Sequence, residues 1–148
     1  METKNSISIK RSIAIKAIVT PTWKEDAEKE LSNAISAVDQ QLSQLEQEGQ
    51  QKVSNIRSKS VNPLDPRVQE QVGQVQQQVG AKRNELEEQK RNLLQQQSQV
   101  RDLKMDEIVD QGQVDSFCDV SVGDNLINKM QVSITVKDGI IQSINNNE

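Results

Sequence analysis

Few side chains in this sequence could carry out acid–base or nucleophilic chemistry. Histidine and tyrosine are absent, and Cys118 is the single cysteine, so no disulfide can form within one chain and no Cys/His cluster can hold zinc. Asp119, Asp124 and Asp138 occupy strand or turn positions, where Asp is favoured for local hydrogen bonding. Catalysis needs titratable groups that converge in a water-excluding cleft. We therefore expect no enzyme activity, no catalytic residue, no metal site and no cofactor.

A set of basic residues near the N-terminus could bind nucleic acid. Lys10, Arg11, Lys16 and Lys24 lie in a segment whose one acidic residue is Glu2, whereas the rest of the chain is acidic overall. Contacts from such residues to phosphates would make the affinity fall steeply with salt. The same charge is also common on a solvated strand. RNA binding through these four basic side chains is the alternative functional prediction.

A second candidate site is the stretch SKSVNPLDPRVQ, which interrupts two long runs of helix-forming residues. Asn62 precedes Pro63 and is therefore disfavoured in helical geometry, whereas Asp65-Pro66 is typical of a helix N-cap followed by proline at the first helical position. Leu64 is an apolar side chain that a tight polar turn would not need. We predict that Asn62, Pro63, Leu64, Asp65 and Pro66 contact a protein partner.

Both flanking segments carry apolar residues with the spacing of a two-stranded coiled coil. These residues are Leu31, Ile35, Val38, Leu42 and Leu45 in the first segment and Val72, Val79, Leu86, Leu93 and Val100 in the second. An antiparallel pairing of a against d positions places Gly49 opposite Val75 and Leu45 opposite Val79, with the chain reversal at residue 62. Arms of about 37–40 residues, at 1.5 Å per residue, would project roughly 55 Å.

Alternating patterns at both ends of the chain predict β-strands. Apolar residues recur at every second position from Ile7 to Val19, but Arg11 interrupts them, so we expect firm pairing from Ser12 to Thr20. Pro21 ends this strand, and the stretch TWKE at 22–25 predicts a capping box with Thr22 as the N-cap. Alternation returns beyond Gly112, in two stretches separated by a turn at residues 123–125.

The last two strands form a predicted hairpin around the stretch VKDGIIQSI. A two-residue Asp138-Gly139 loop would pair Val136 with Ile141 and would put Ile144 on the polar face. A three-residue loop that starts one residue earlier pairs Val136 with Ile140 and keeps Ile144 on the apolar face. Because the second arrangement places apolar residues opposite each other, we expect a three-residue loop with a type I turn and a bulge.

These elements predict an α+β fold, in which a long antiparallel coiled-coil helical hairpin is inserted between an N-terminal strand and a C-terminal β-hairpin or meander that form one small antiparallel sheet. The β base domain is residues 1–21 with 108–148, and the hairpin is 22–107 with its tip at 58–66. Trp23 and Phe117 are expected to pack where the two parts join. A sheet of this size has a thin core and edges to protect, so we expect a homo-oligomer that forms through the β base.

The N-terminal segment METKNSISIKRSIAIKAIVT contains no continuous apolar stretch. A signal peptide needs about 7–15 consecutive apolar residues and a membrane span about 20. We therefore expect a cytoplasmic protein that does not associate with membranes.

Three stretches together resemble the YlqD family of cyanobacteria and Gram-positive bacteria: IAIKAIVTPTWKEDAEKEL near the start, then GQVDSFCDVSVGDNL and ITVKDGIIQSI near the end. The resemblance implies a small bacterial cytoplasmic protein without an assigned activity and without catalytic residues to carry over. The family's gene lies among genes for ribosomal and RNA-modifying proteins in some genomes, which is in line with the RNA alternative. Our main functional prediction is a structural or interaction protein, a β platform that presents a coiled-coil arm and is prefoldin-like in shape only.

Overall fold

The computed structural model describes residues 5–146. Its elements are β1 (Ser6–Ile18), α1 (Pro21–Ser58), α2 (Pro66–Asp102), β2 (Ile108–Ser121), α3 (Leu126–Met130), β3 (Val132–Lys137) and β4 (Ile140–Asn146). The predicted α+β class is confirmed, since two long helices lie between one N-terminal strand and the C-terminal strands. The chain divides into two compact units. We call them the sheet unit, which comprises the residues up to Asp26 and from Asp102 onward, and the helical unit, Ala27–Arg101.

The sheet unit contains one four-stranded sheet with the order β2-β1-β3-β4. The pairs β1–β2 and β3–β4 are antiparallel, as expected, but β1 and β3 are parallel. The prediction of a wholly antiparallel sheet is therefore wrong. The reason is topological: β2 returns along one side of β1, and α3 then leads the chain to the other side, where β3 runs opposite to β2.

Strand β1 is longer than the sequence pattern predicted. It pairs with β2 continuously from Ser6 to Ile18, so pairing begins well before Ser12. Arg11 does not interrupt the strand, because its Nη1 donates to the backbone carbonyl of Lys129 at 2.6 Å. The hydrogen bond of this charged donor helps the guanidinium to remain on a partly buried face of the strand.

The N-cap of α1 is Thr20, so the prediction of Thr22 is wrong. Thr20 Oγ1 accepts a hydrogen bond from the backbone N–H of Trp23 at 3.0 Å, and the Thr20 carbonyl accepts from Lys24 N–H at 3.0 Å. Pro21 accordingly occupies the first helical position, where a missing N–H costs nothing. Because proline also disfavours helical geometry in the residue before it, Thr20 is set up as the cap.

The β3–β4 loop has two residues, and the three-residue prediction is wrong. Asp138 (φ 51°) and Gly139 (φ 84°) both have positive φ, as a type I′ turn requires, and Val136 pairs with Ile141. Ile144 nevertheless lies opposite Ile134, because the register shifts by one residue farther along β4. The bulge that keeps apolar residues opposite each other is present, but it lies inside the strand rather than in the turn.

Each unit has a small set of buried residues. Ala17, Val19, Thr20 and Val132 are buried in the sheet unit, and Val38, Gly49, Val72 and Leu86 are buried in the helical unit. The four helical residues all fall on positions of the predicted seam. Within residues 5–146, no helix is both long and apolar enough to cross a membrane.

Gly49 lies where α1 approaches α2 closely. A Cβ built at Gly49 would lie only 2.9 Å from Val79 Cγ2. A seam residue of an antiparallel coiled coil fits between the residue opposite it and the seam residues on either side, so this contact is compatible with the predicted pairing of Gly49 opposite Val75. The close approach explains the glycine, because a larger residue at this position would push the β-branched Val79 away.

Polar pairs connect α1 and α2 along one side of the apolar seam. We call three of them, which recur every seven residues along both helices, the polar rail: Ser32 with Gln97, Asp39 with Lys90, and Glu46 with Arg83. Each pair joins opposite charges, or a hydrogen-bond donor and an acceptor, across the two helices.

The packing of Gly49 against Val79 makes a quantitative prediction. Gly73, in α2, has no atom within 4 Å of its built Cβ, so Gly73→Ala should stabilise the protein by about 0.5–1 kcal/mol through helix propensity. In Gly49→Ala the added methyl group would crowd Val79, which offsets the gain in helix propensity. This variant should therefore be less stable than Gly73→Ala by about 1–3 kcal/mol. Urea unfolding followed by far-UV circular dichroism measures both. A double-mutant cycle with Val79→Ala that showed no coupling would contradict the contact.

Candidate protein-interaction sites

The predicted tip site is a turn held by its own hydrogen bonds. Asn62 Oδ1 accepts from the backbone N–H of Leu64 at 3.1 Å, and the Asn62 carbonyl accepts from Asp65 N–H at 3.0 Å. Asp65 Oδ1 accepts from Arg67 N–H at 2.9 Å, and α2 begins at Pro66, which confirms the predicted N-cap. The Leu64 side chain is 77% exposed, and the neighbouring Val61 is fully exposed. The turn therefore displays two apolar side chains.

Four cations surround the tip, and sequence reasoning missed them as a group. Lys52, Arg57, Lys59 and Arg67 form no ion pair with any residue between 5 and 146. The cations farther from the tip differ: Lys90 and Arg83 pair with carboxylates across the helices, and Lys82 pairs with Glu85 along its own helix. The hairpin as a whole has a negative net charge. A sum over the whole hairpin does not show the local excess of unpaired positive charge near the tip.

A groove opens between α1 and α2 on the tip side of the polar rail. Its volume is about 810 Å³. The floor is apolar and consists of Gly49, Val53, Val75 and Val79, while the Glu46–Arg83 pair lies at one end and Arg57 and Ser58 at the other. Volumes of roughly 300–1,000 Å³ are typical of sites that bind a ligand or a few side chains of a partner.

The groove appears where the polar rail stops. One heptad beyond the Glu46–Arg83 pair, the corresponding residues are Val53 and Gln76, and both line the groove. A valine cannot form a hydrogen bond to the amide opposite it, so no polar bridge crosses the seam at this level. The open seam leaves apolar surface accessible beside the unpaired Arg57.

The structure does not bring the four basic residues near the N-terminus together. Residues that are directly opposite or alternate in paired strands share a face, so Lys10 and Lys16 lie on one face of the sheet and Arg11 lies on the other. Lys24 lies in the first turn of α1. Lys10 Nζ is 3.2 Å from an Asp115 carboxylate oxygen, which reduces its availability to phosphates.

Phe117 does not occupy the predicted position between sheet and hairpin. It lies opposite Lys10 in the β1–β2 pair, and its side chain is 74% exposed. Among the described residues, the sheet unit carries most of the large apolar side chains that face solvent. They include Ile7, Ile108, Phe117, Val122, Ile127, Ile140, Ile141 and Ile144.

Comparison with known proteins confirms the resemblance that the sequence motifs indicated. The model of the family described as YlqD protein matches residues 7–145. A protein of unknown function from Synechococcus sp. WH 8102, known from a crystal structure, is 65% identical in sequence to this chain. The two structures superpose with a TM-score of 0.86 over 95% of each chain. No curated protein matches the chain. The similarity therefore covers sequence and fold together, and it carries no activity with it.

The Asp65 cap makes a prediction about the tip. Asp65→Ala removes the acceptor for Arg67 N–H and should lower the free energy of unfolding by about 1 kcal/mol. Asp65→Asn retains an acceptor of similar capping strength and should lose much less. Thermal unfolding of the two variants beside the wild type measures the difference. Equal losses in both variants would show that the carboxylate charge, and not the cap, is responsible.

Proposed function

The chain belongs to the YlqD family, and we propose that it is a non-enzymatic interaction protein that self-associates through its sheet unit and binds a protein partner through its helical unit. Neither the family match nor the Synechococcus structure supplies an activity. The proposal therefore rests on the chemistry of the surfaces themselves.

The contrast between the two edges of the sheet is the observation that carries the proposal. The edge strand β2 contains Asp110, Asp115 and Asp119, and charged side chains on an edge strand discourage pairing with another chain. The opposite edge strand, β4, has the sequence IIQSINN and contains no charged residue. Because β2 carries charges and β4 does not, pairing with a strand of another chain is favoured at β4.

The exposed side chains of β4 support the same conclusion. Ile140, Ile141 and Ile144 are 68%, 55% and 62% exposed, although each lies in a regular strand. Burying an exposed isoleucine stabilises an interface by roughly 1.5–3 kcal/mol at most. A second copy of the chain is the occupant that fits, because antiparallel pairing of β4 with itself around a two-fold axis buries the same isoleucines from both copies.

Two of the three carboxylates considered for catalysis, Asp124 and Asp138, have structural partners, which supports the non-enzymatic part of the proposal. Asp138 Oδ1 accepts from Thr20 Oγ1 at 2.6 Å, and Asp124 Oδ2 accepts from Ser121 N–H at 2.9 Å. Glu46, the carboxylate that lines the groove, pairs with Arg83. Each of these groups contributes to a turn or a helix contact. None of them points with a second carboxylate at a common position where a substrate could react.

Self-association through β4 can be tested with one charge substitution and a matched control. Ile140→Lys places a charge on the exposed edge and should convert a wild-type dimer into a monomer. Phe117→Lys introduces the same charge at an equally exposed residue on the β1–β2 side and should leave the dimer intact. Size-exclusion chromatography with multi-angle light scattering measures the molar mass of each variant.

Two outcomes would contradict the β4 interface. A wild-type chain that remains monomeric at high protein concentration would refute self-association. Dissociation by Phe117→Lys, with no effect of Ile140→Lys, would place the interface on the other side of the sheet. Circular dichroism of both variants verifies that each retains the wild-type secondary structure.

A further inference from the structure

We propose that the groove between α1 and α2, with its floor of Gly49, Val53, Val75 and Val79, is the docking site for an acidic amphipathic helix of a partner protein. The inference deepens the proposed function, because it names the chemistry of the partner that the helical unit binds. It does not depend on self-association through β4.

The position of the groove follows from the polar rail. The rail bridges the two helices with a polar pair at each heptad up to Glu46 and Arg83, and the next heptad has Val53 and Gln76 in its place. The seam is thus sealed by polar pairs along one part of the hairpin and left apolar along the part nearest the tip. An uncovered apolar seam between two helices is the surface on which a third helix packs.

The dimensions of the groove suit a helix. It extends along α1 from Glu46 to Ser58, which at 1.5 Å per residue is roughly 18 Å, or about three helical turns. An amphipathic helix places apolar anchors at positions i, i+3 or i+4, and i+7, over about the same length. The valine floor would receive those anchors, and Gly49 lowers the floor where α1 approaches Val79 most closely.

The charge around the groove favours an acidic partner, because residues 49–70 contain four basic side chains and two acidic ones. Arg57 lines the groove, and Lys52, Lys59 and Arg67 lie near it in sequence, all four without an ion pair among residues 5–146. Carboxylates that flank the apolar anchors of a partner helix would pair with these cations. The tip of a second copy would instead bring Lys59 and Arg67 against Arg57, so a second copy is disfavoured as the occupant.

The groove fits a peptide better than a nucleic acid. Proteins that bind single-stranded nucleic acid combine positive charge with aromatic side chains on which bases stack. The aromatic residues of this chain are Trp23 and Phe117, and neither lines the groove. A floor of valines offers no partner to phosphates and is suited to leucine or isoleucine side chains.

A designed probe tests the proposal on the full-length protein. The probe is a fluorescein-labelled helical peptide of two heptads with Leu at a and d and Glu at e and g, used at a concentration at which it is monomeric. Fluorescence anisotropy should show saturable binding that weakens as salt rises. A peptide with Lys in place of every Glu should bind at least tenfold more weakly.

Two matched variants locate the site. Arg57→Glu reverses a charge in the groove and should weaken binding of the Glu peptide at least tenfold. Lys29→Glu makes the same charge change at an exposed residue of the same helix, far from the groove, and should weaken binding less than threefold. The Ile140→Lys variant should bind like the wild type, so a failure of the β4 interface and a failure of the groove are distinguishable.

Three results would overturn the proposal. The first is no binding of the Glu peptide to the wild type at protein concentrations up to about 1 mM, which corresponds to a binding free energy weaker than roughly −4 kcal/mol. The second is an equal loss of affinity in Lys29→Glu and Arg57→Glu, which indicates unspecific attraction. The third is tighter binding of a single-stranded RNA oligonucleotide than of the Glu peptide with the same dependence on Arg57, which assigns the cations to nucleic acid.

Discussion

The junction Val19-Thr20 is the constraint on which the sheet unit depends. Val19 is fully buried, and its backbone N–H and carbonyl bond to Glu107 O and Asp106 N, both at 2.8 Å. Thr20 is buried beside it, and its hydroxyl oxygen accepts from Trp23 N–H while the hydroxyl donates to Asp138. Two residues thus join the end of β1, the start of α1, the link from α2 to β2 and the β3–β4 turn. A change at this junction would disturb four elements at once.

The hydroxyl of Thr20 also explains why the β3–β4 turn differs from the expected one. In a two-residue loop Asp138 adopts a left-handed conformation, which costs a non-glycine residue about 1 kcal/mol. The hydrogen bond from Thr20 to the Asp138 carboxylate offsets that cost, since a charged acceptor strengthens it. The tight turn requires a compensating bulge in β4 to keep Ile144 opposite Ile134. A contact between residues far apart in sequence therefore decides a local loop geometry.

Local patterns in the sequence predicted the elements well and their mutual arrangement poorly. The proline positions and the heptad spacing of apolar residues predicted the two helices and the tip, and Asp65-Pro66 predicted the start of α2. These signals lie in neighbouring residues. The parallel pairing of β1 with β3 depends on where α3 leads the chain, which the alternation within each strand does not contain. The groove was not predicted for a similar reason, since it opens where Val53 and Gln76 stand in place of a polar pair between the helices.

Strand β4 and the tip region of the helical unit suit different kinds of partner, and the difference follows from symmetry. An interface around a two-fold axis brings each residue against its own copy or its near neighbours, so a surface of one charge opposes itself. The uncharged strand β4 can pair with its own copy without repulsion. The tip region cannot, because it carries Lys52, Arg57, Lys59 and Arg67. A cationic surface next to an apolar floor requires a partner that supplies carboxylates. The proposed self-association through β4 and the proposed recognition of an acidic helix by the groove therefore belong to separate surfaces.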